Sequence, residues 1–320
     1  MKRISIFLVG PTASGKSKLA LALARKIKGE IISCDAMQIY QKMDIGTAKP
    51  TPGERQLVPH HLIGLISPRS EYSVFKYRKL ALDTMEKIFT RNRIPIVVGG
   101  SGLYLKAIRD GLAPQPGRQI SFRRRLEQVA RQKGLRVLYE KLEKIDPKRA
   151  RAIHPNDKRR IIRALEIFEL SRRMPSEWCP ETEGLEARGI RFLTFGLLRD
   201  RSELYGRIER RVDQMFAQGW TQEVKRLKRI GLSKTARAAI GYHEILQYLQ
   251  SKGDFGKGDL EEIKCEIKKR TRHLAKKQMT WFRRDQQIRW FLVSGNRFVS
   301  KTLRQIMSQL KSKGFLSDSR

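Results

Sequence analysis

The chain has 320 residues, enough for one large or two modest domains, and its 40 % apolar content supplies a real core and excludes wholesale disorder. Lys and Arg number 68 against 32 Asp and Glu, a formal net charge of +36. Self-repulsion on that scale calls for a large polyanion as partner, with nucleic acid ahead of an acidic membrane surface. The cysteines Cys34, Cys179 and Cys265 are scattered, odd in number and lack zinc or redox spacing, so a reducing compartment and buried thiols are expected.

Met1-Lys2-Arg3 before the apolar residues 4–9 imitates a signal peptide, but that run is too short and ends in Gly10-Pro11. No stretch approaches 18 consecutive apolar residues, so no membrane span is expected and the chain reads as cytoplasmic. In chain order, residues 4–9 predict a strand, 16–27 a helix, 30–33 a second strand and 61–66 a third. A helix over 74–89 and a strand over 94–98 follow. Apolar strands spaced by helices predict an α/β fold, a parallel sheet with helices on both faces. Pro114, Pro116 and Gly117 then mark a boundary. Helical periodicity takes over, and residues 118–173 carry 18 Lys/Arg against 7 Asp/Glu. A strand pattern returns once, over 191–198, and helices run to the end, one of them over 204–216. The expected organisation is a first part of the core over 1–112 and a basic helical insertion, 113–189, whose charge suits the polyanion partner. The core continues over 190–310 with its final strand and C-terminal helices, and 311–320 form a loose tail.

Gly10-Pro11-Thr12-Ala13-Ser14-Gly15-Lys16-Ser17 fits G-x-x-x-x-G-K-[ST] between a strand and a helix. Glycines at both ends let the loop wrap so that its N–H groups form an anion nest, reinforced by the helix N-terminus. Lys16 is expected to reach phosphate oxygens and Ser17 to hold Mg²⁺. Nucleotide-hydrolysing proteins of this kind carry an acid at the end of a later strand. Here the run 94–98 ends in Gly99-Gly100-Ser101, and the only run ending in an acid is Ile31-Ile32-Ser33-Cys34-Asp35. At the carboxyl end of its strand, Asp35 is placed either to meet an acceptor beside the phosphate loop or to cap the segment after it.

The chain also resembles the tRNA dimethylallyltransferase family of the bacterial type. The resemblance rests on the phosphate loop, Asp35-Ala36-Met37-Gln38-Ile39-Tyr40, Asp44-Ile45-Gly46-Thr47-Ala48-Lys49-Pro50, Pro59-His60-His61-Leu62 and Gly99-Gly100-Ser101-Gly102-Leu103-Tyr104. It continues through His154-Pro155-Asn156-Asp157, Arg207-Ile208-Glu209-Arg210-Arg211, Ala239-Ile240-Gly241-Tyr242 and Lys276-Lys277-Gln278 to Thr280-Trp281-Phe282. The departures are Ala36 where the family often has Ser, Ser17 in place of Thr, and Thr235-Ala236-Arg237-Ala238 before Ala239. The chain ends without the zinc finger of eukaryotic relatives.

The resemblance implies transfer of a dimethylallyl group from dimethylallyl diphosphate to N6 of the adenosine 3′-adjacent to the anticodon, position 37, in tRNAs reading UNN codons. It further implies that residues 10–17 and Arg211 bind the diphosphate rather than ATP, that Asp35 is the base, and that Thr12 and Arg211 act beside it. Asp35, Ala36, Met37, Gln38, Ser101, Arg124, Arg159, Arg160 and Arg163 are the positions it assigns to the tRNA anticodon stem-loop. A monomer using Mg²⁺ is expected.

Plainer readings accompany several of these residues. Thr12 could simply shape the turn, Arg211 could be solvated on its helix, and Arg123-Arg124-Arg125 could be an exposed basic face. Residues 264–289 hold ten Lys/Arg and two acids, and Lys268, Lys269, Lys276 and Lys277 suit phosphate contact. Trp281 suits the core better, and His60-His61 reads as structural for want of further ligands. A nucleotide or small-molecule kinase, prenyl transfer to a free adenine nucleotide, and a noncatalytic RNA-binding protein are the rival functions. The missing acid, the charge of the insertion and the intact loop argue against them in turn.

Overall fold

The computed structural model describes residues 3–113, 116–177, 183–251 and 256–316. It divides into two compact units, residues 1–109 with 185–320, and residues 110–184.

The larger unit is built on six parallel strands: β1 (Ile4–Val9), β2 (Gly29–Cys34), β3 (His60–His61), β4 (Ile94–Gly99), β5 (Arg191–Leu198) and β6 (Ile288–Leu292). Their order is β3-β2-β4-β1-β5-β6. Alternation sorts the strand side chains between two cores. Phe7, Val9, Ile32, Cys34 and Val97 face one, and Ile4, Ile6, Leu8, Ile31, Ile96 and Val98 face the other. Both faces are therefore dry, and the strands read as unbroken apolar runs.

Helix α1 (Lys16–Ile27) joins β1 to β2, and α2 (Pro52–Leu57) and α3 (Val74–Thr90) precede β4. Thr51 and Glu54 form a reciprocal capping box on α2, and the Ser73 hydroxyl caps α3 by accepting from Lys76 N–H. Helix α4 (Gly102–Arg109) ends where the chain leaves the unit, and Leu185 N–H donates to Arg109 O at 2.9 Å where it returns.

The smaller unit holds α5 (Ile120–Gln132), α6 (Leu135–Ile145), α7 (Pro147–Arg151) and α8 (Lys158–Ser171). Phe122, Leu126, Leu138, Leu142, Ile161 and Leu165 form its separate core. Asp146 and Asp157 cap α7 and α8. The completely buried carboxylate of Glu166 accepts from Arg123 (2.7 and 2.6 Å), Arg163 (2.5 Å) and the Gln119 N–H (2.8 Å).

After β5, α9 (Arg201–Ala217) opens on Asp200, whose carboxylate accepts from Ser202 and Glu203 N–H. Helices α10 (Trp220–Ile230), α11 (Lys234–Arg237), α12 (Tyr242–Ser251) and the 26-residue α13 (Lys257–Phe282) then lead to β6, and α14 (Phe298–Ser312) closes the second core.

The structure corrects several expectations. The strand expected over 61–66 is confined to His60–His61, because Leu62 and Gly64 adopt positive φ and turn the chain. Strand β6 falls where only helices were expected; as an edge strand it mixes Arg289 with apolar residues and carries no clean pattern. Residues 185–189 join the larger unit rather than the insertion, since Leu185 is buried in its core. The tail expected to be loose from residue 311 is helical to Ser312, and Phe315 packs on the second core. Cys34 is buried but Cys265 is exposed on α13, and Cys179, like Pro114, lies outside the described residues. His61 donates or accepts at Glu30 (2.7 Å) and Arg91 holds the same carboxylate, which gives the His pair its structural role.

Removing Glu166 would leave Arg123 and Arg163 without their shared counter-charge. Glu166→Ala is expected to destabilise the smaller unit by about 3 kcal/mol, read as a lower urea midpoint of its transition in the full chain.

Candidate active site

All six strands point their carboxyl ends the same way, so the loops that follow β1, β2, β4 and β5 share one rim of the sheet. The loop after β1 needs its glycines. Gly10 has φ 140° and a Cβ there would sit 2.7 Å from Leu197 O, whereas Gly15 has φ 103° and would drive a Cβ into the Phe298 ring at 2.6 Å. Ala13 carries a left-handed φ of 61°, a strained conformation for a residue with a side chain. Gly15 starts α1 with no side-chain cap. The first N–H groups of α1, at Lys16 and Ser17, therefore have no intrahelical acceptor and face the loop's concavity with the positive end of the helix dipole.

The loop's carbonyls are taken by cations. Lys16 Nζ donates to Pro11 O (2.6 Å), Arg207 Nε to Ala13 O (2.9 Å) and Arg199 Nε to Ser14 O (2.8 Å). Arg207 and Arg211 are one turn apart on α9 and so share a face. Arg211 Nη1 donates to Thr12 Oγ1 at 3.0 Å. Arg211 is thus bound to the loop rather than solvated on its helix. Thr12 N–H donates to Gln278 Oε1 (2.8 Å), and Gln278 Nε2 donates to Gly100 O (3.1 Å). α13 thereby ties the loop to the end of β4.

This crowding changes the protonation of Lys16. Burial first, then the positive charge of Arg211, pulls its ammonium down to about 7, against support from Asp35. Burial also lowers Arg211, again with Asp35 favouring the charge. Asp35 is therefore the anion nearest in effect to both cations.

Strand β4 lies between β1 and β2, so Asp35 is one strand removed from the loop rather than adjacent to it. Two glycines close the gap. A Cβ on Gly99 would stand 2.0 Å from Cys34 O, and one on Gly100 would stand 2.3 Å from Gln278 Nε2. Where nucleotide hydrolases place an acid, this chain places backbone and the Gln278 amide. Asp35 Oδ1 accepts from Met37 N–H (2.8 Å), so Asp35 turns the segment after it. The Ser101 hydroxyl accepts from Ala36 N–H (3.2 Å) across the same rim. Gln38 spends its amide inside the protein, accepting from Ser33 (2.8 Å) and donating to Thr47 O and Ala48 O (3.1 Å each).

Of the other positions expected to meet RNA, Arg124, Arg159 and Arg160 are exposed in the smaller unit, and Arg163 is held by Glu166 and Pro116 O. Lys268 pairs with Asp213, while Lys269, Lys276 and Lys277 are exposed. Trp281 is half-buried against the first core, where it fills the space left by Gly102.

Sequence reasoning left three supports without a role: Gln278, Arg199 and Glu223. Buried Glu223 on α10 accepts from Asp44, Ile45 and Gly46 N–H (2.8, 2.8 and 3.3 Å) and from Tyr242 OH (2.6 Å). It fixes the segment that Gln38 grips. Arg199 directly follows β5, and its place at a carboxyl strand end was the one available signal.

Residues 38–285 match the family model described as IPP transferase, and residues 4–60 match one described as isopentenyl transferase. The chain belongs to the IPP transferase family. It is 46 % identical over 316 residues to the tRNA dimethylallyltransferase of Carboxydothermus hydrogenoformans, covering 97 % of this chain and 98 % of that one. Identity to the Halothermothrix orenii tRNA dimethylallyltransferase is 45 % over 318 residues, 98 % and 94 % of the two chains. The crystal structure of the full-length tRNA isopentenylpyrophosphate transferase from Bacillus halodurans aligns with a TM-score of 0.69 at 38 % identity, over 98 % of each chain. A eukaryotic dimethylallyltransferase acting on tRNA aligns at 0.77 and 28 % identity, over 99 % of this chain and 80 % of that one. The family's parallel sheet around a phosphate loop is thus the fold seen here. Among the described residues, no helix is long and apolar enough to cross a membrane.

Lys16 has a folded-state value near 7 and an unfolded value near 10.5. Below pH 7 both states are charged and the burial cost is complete; between 7 and 10.5 the unfolded chain holds the extra proton, so folding stability rises with pH. Lys16→Met is expected to raise the melting temperature most at pH 6, with the gain over wild type shrinking as pH climbs through that window. Thermal melts across pH check this, and a gain that is flat with pH would contradict it.

Proposed function

We propose that this protein transfers the dimethylallyl group of dimethylallyl diphosphate to N6 of adenosine 37, beside the anticodon on its 3′ side, in tRNAs reading UNN codons. The observation that carries the proposal is a cationic phosphate loop coupled to one carboxylate, Asp35, with no acid after β4 to serve nucleotide hydrolysis. Family membership and the names of the relatives supply the donor and acceptor classes.

The N6 lone pair is delocalised into the adenine ring, so the amine is a weak nucleophile until its proton leaves. Asp35 accepts that proton as the lone pair bonds to C1 of the donor, and the C1–O bond breaks with its electron pair leaving on diphosphate. Charge grows on the departing oxygens. Lys16, Arg211 and the first-turn N–H groups meet it, in a loop already organised before the anion arrives. Thr12, held by Arg211, sits at the loop's mouth beside the reacting atoms. Residues Gly10, Pro11, Ala13, Ser14 and Gly15 supply the wrapped backbone around the diphosphate.

Ser17 is exposed on the opening turn of α1, and the described residues include no group of three His, Cys, Asp or Glu able to hold a metal. That donor set fits Mg²⁺ carried in on the diphosphate, with the Ser17 hydroxyl as its protein ligand and water filling the rest. When bound, the ion neutralises charge on the leaving group.

The target adenine must leave the anticodon stack for its N6 to be reached. The rim from Asp35 to Gln38 with Ser101 receives the base, and Arg124, Arg159, Arg160 and Arg163 contact the stem-loop backbone. The protein works as a monomer in the cytoplasm, a compartment consistent with its free thiols.

Unmodified tRNA incubated with the protein, Mg²⁺ and dimethylallyl diphosphate is expected to gain one prenyl group at that adenosine, read by nucleoside mass spectrometry. No gain on any tRNA by folded, RNA-bound protein would refute the reading. Asp35→Ala is expected to keep tRNA binding while transfer falls at least about 100-fold. Binding and transfer falling together would make Asp35 an RNA contact or a structural turn. tRNA affinity is expected to drop steeply with salt as phosphate contacts release counterions, and a flat log–log plot would count against the polyanion partner.

A further inference from the structure

The mechanism above leaves one buried cation of the site without a role. Arg199 follows β5 and its side chain is fully buried. It is shut off from solvent between the phosphate loop and Phe298 of α14. Its Nε donates to Ser14 O at 2.8 Å, its Nη1 pairs with Glu203, and its guanidinium stacks on Phe298 with the carbon 4.7 Å from the ring centroid. Its Nη2 is buried with no hydrogen-bond partner and lies 3.5 Å from where a Gly15 Cβ would be. Glu203 is itself fixed, accepting from Gly295 N–H at 3.0 Å.

Burying a guanidinium is costly, and hydrophobic packing of similar volume would serve stability at least as well. Burial and the neighbouring Arg207 both work against its charge, with Glu203 opposing them. The cost is therefore explained by what Arg199 does to the loop. A peptide group that turns its carbonyl outward turns the next N–H inward. Ser14 O faces Arg199, so Gly15 N–H points toward the concavity, the direction an anion nest requires. Arg207 holds the preceding carbonyl, Ala13 O (2.9 Å), but the N–H that follows it, on Ser14, donates to Pro11 O (3.3 Å), so Gly15 N–H is the group that Arg199 leaves to an anion. Lys16 Nζ, on Pro11 O, is the cation the mechanism assigns to the anion itself, whereas the Arg199 side chain is completely buried.

We propose that Arg199 is the positioning residue of the phosphate loop: by holding the Ser14 carbonyl, it aims the Gly15 N–H at the donor's diphosphate and sets donor affinity. This rests on the diphosphate reading of the loop. Arg199 touches no substrate and acts through Ser14 and Gly15.

The test uses the full-length protein with Mg²⁺–inorganic diphosphate as probe, by calorimetry, alongside donor KM, kcat and the Kd for tRNA. Arg199→Met is expected to weaken diphosphate binding and raise donor KM by about tenfold, the effect of losing a hydrogen bond to a charged group, with tRNA Kd unchanged. Arg199→Lys, which keeps the charge but loses the planar fork that serves Ser14 O and Glu203 together, is expected to fall between. A purely structural residue would instead lower the active fraction, reducing apparent kcat while diphosphate Kd stayed the same. That pattern, or equal losses in diphosphate and tRNA affinity, would overturn the proposal.

If Arg199→Met does not fold, Glu203→Gln and Phe298→Leu loosen the same guanidinium from its two other supports. Diphosphate affinity unchanged in both would overturn it equally. Wild-type protein that neither binds diphosphate nor prenylates tRNA would refute the proposed function itself, whereas wild-type activity with insensitive variants refutes only the role of Arg199.

Discussion

The accumulation of positive charge around one short loop is the constraint on which the rest of this structure turns. Lys16, Arg199, Arg207 and Arg211 all hydrogen-bond to residues 11–14. Burial and the charge of Arg211 lower Lys16 toward neutrality, so gathering these cations is electrostatically expensive. Two carboxylates at different depths make it tolerable: Glu203 behind the loop on Arg199, and Asp35 in front, supporting Lys16 and Arg211. An entering polyanion relieves the same repulsion. In the proposed function, that unfavourable charge is what a diphosphate would relieve on binding.

A second constraint is the approach of backbones at the end of β4. Gly99 lets β2 close on it and Gly100 leaves room for Gln278, so three strand ends and α13 converge where any side chain would hold them apart. Glu223 performs a related task further out by gathering three N–H groups of the 44–46 segment, with Trp220 packed where Gly46 and Gly241 lack side chains. The face that carries Asp35 is thus fixed through Gln38 from an element nearly two hundred residues away. The proposed role of Asp35 as a base, which requires one fixed geometry, calls for support of that kind.

The phosphate loop, its helix and four of the strands are legible in the sequence because each is local: a glycine pattern, an apolar run, an alternation that both buried faces erase. Asp35 was legible for the same reason, as the only acid ending such a run. What the sequence did not show of Gln38 and Arg163 is that each also holds the protein itself, through Thr47 and Ala48 and through Glu166. Nothing local distinguishes an arginine facing solvent from one facing a buried glutamate. The third strand was overread because an apolar run conceals the positive φ of Leu62, and β6 was missed because an edge strand can mix charged and apolar residues freely.

By itself the sequence determined the class of fold and the glycine-bounded loop at residues 10–17, and it supplied the summed charge from which a polyanion partner is proposed, since these depend on pattern and composition. Only the tertiary structure decided that β4 separates Asp35 from the loop, that Gln278 reaches the loop from α13, and that Arg199, Arg207 and Arg211 all turn toward it. Those are contacts between residues 180 or more positions apart, and they are selected by strand order and helix packing, which no local pattern encodes.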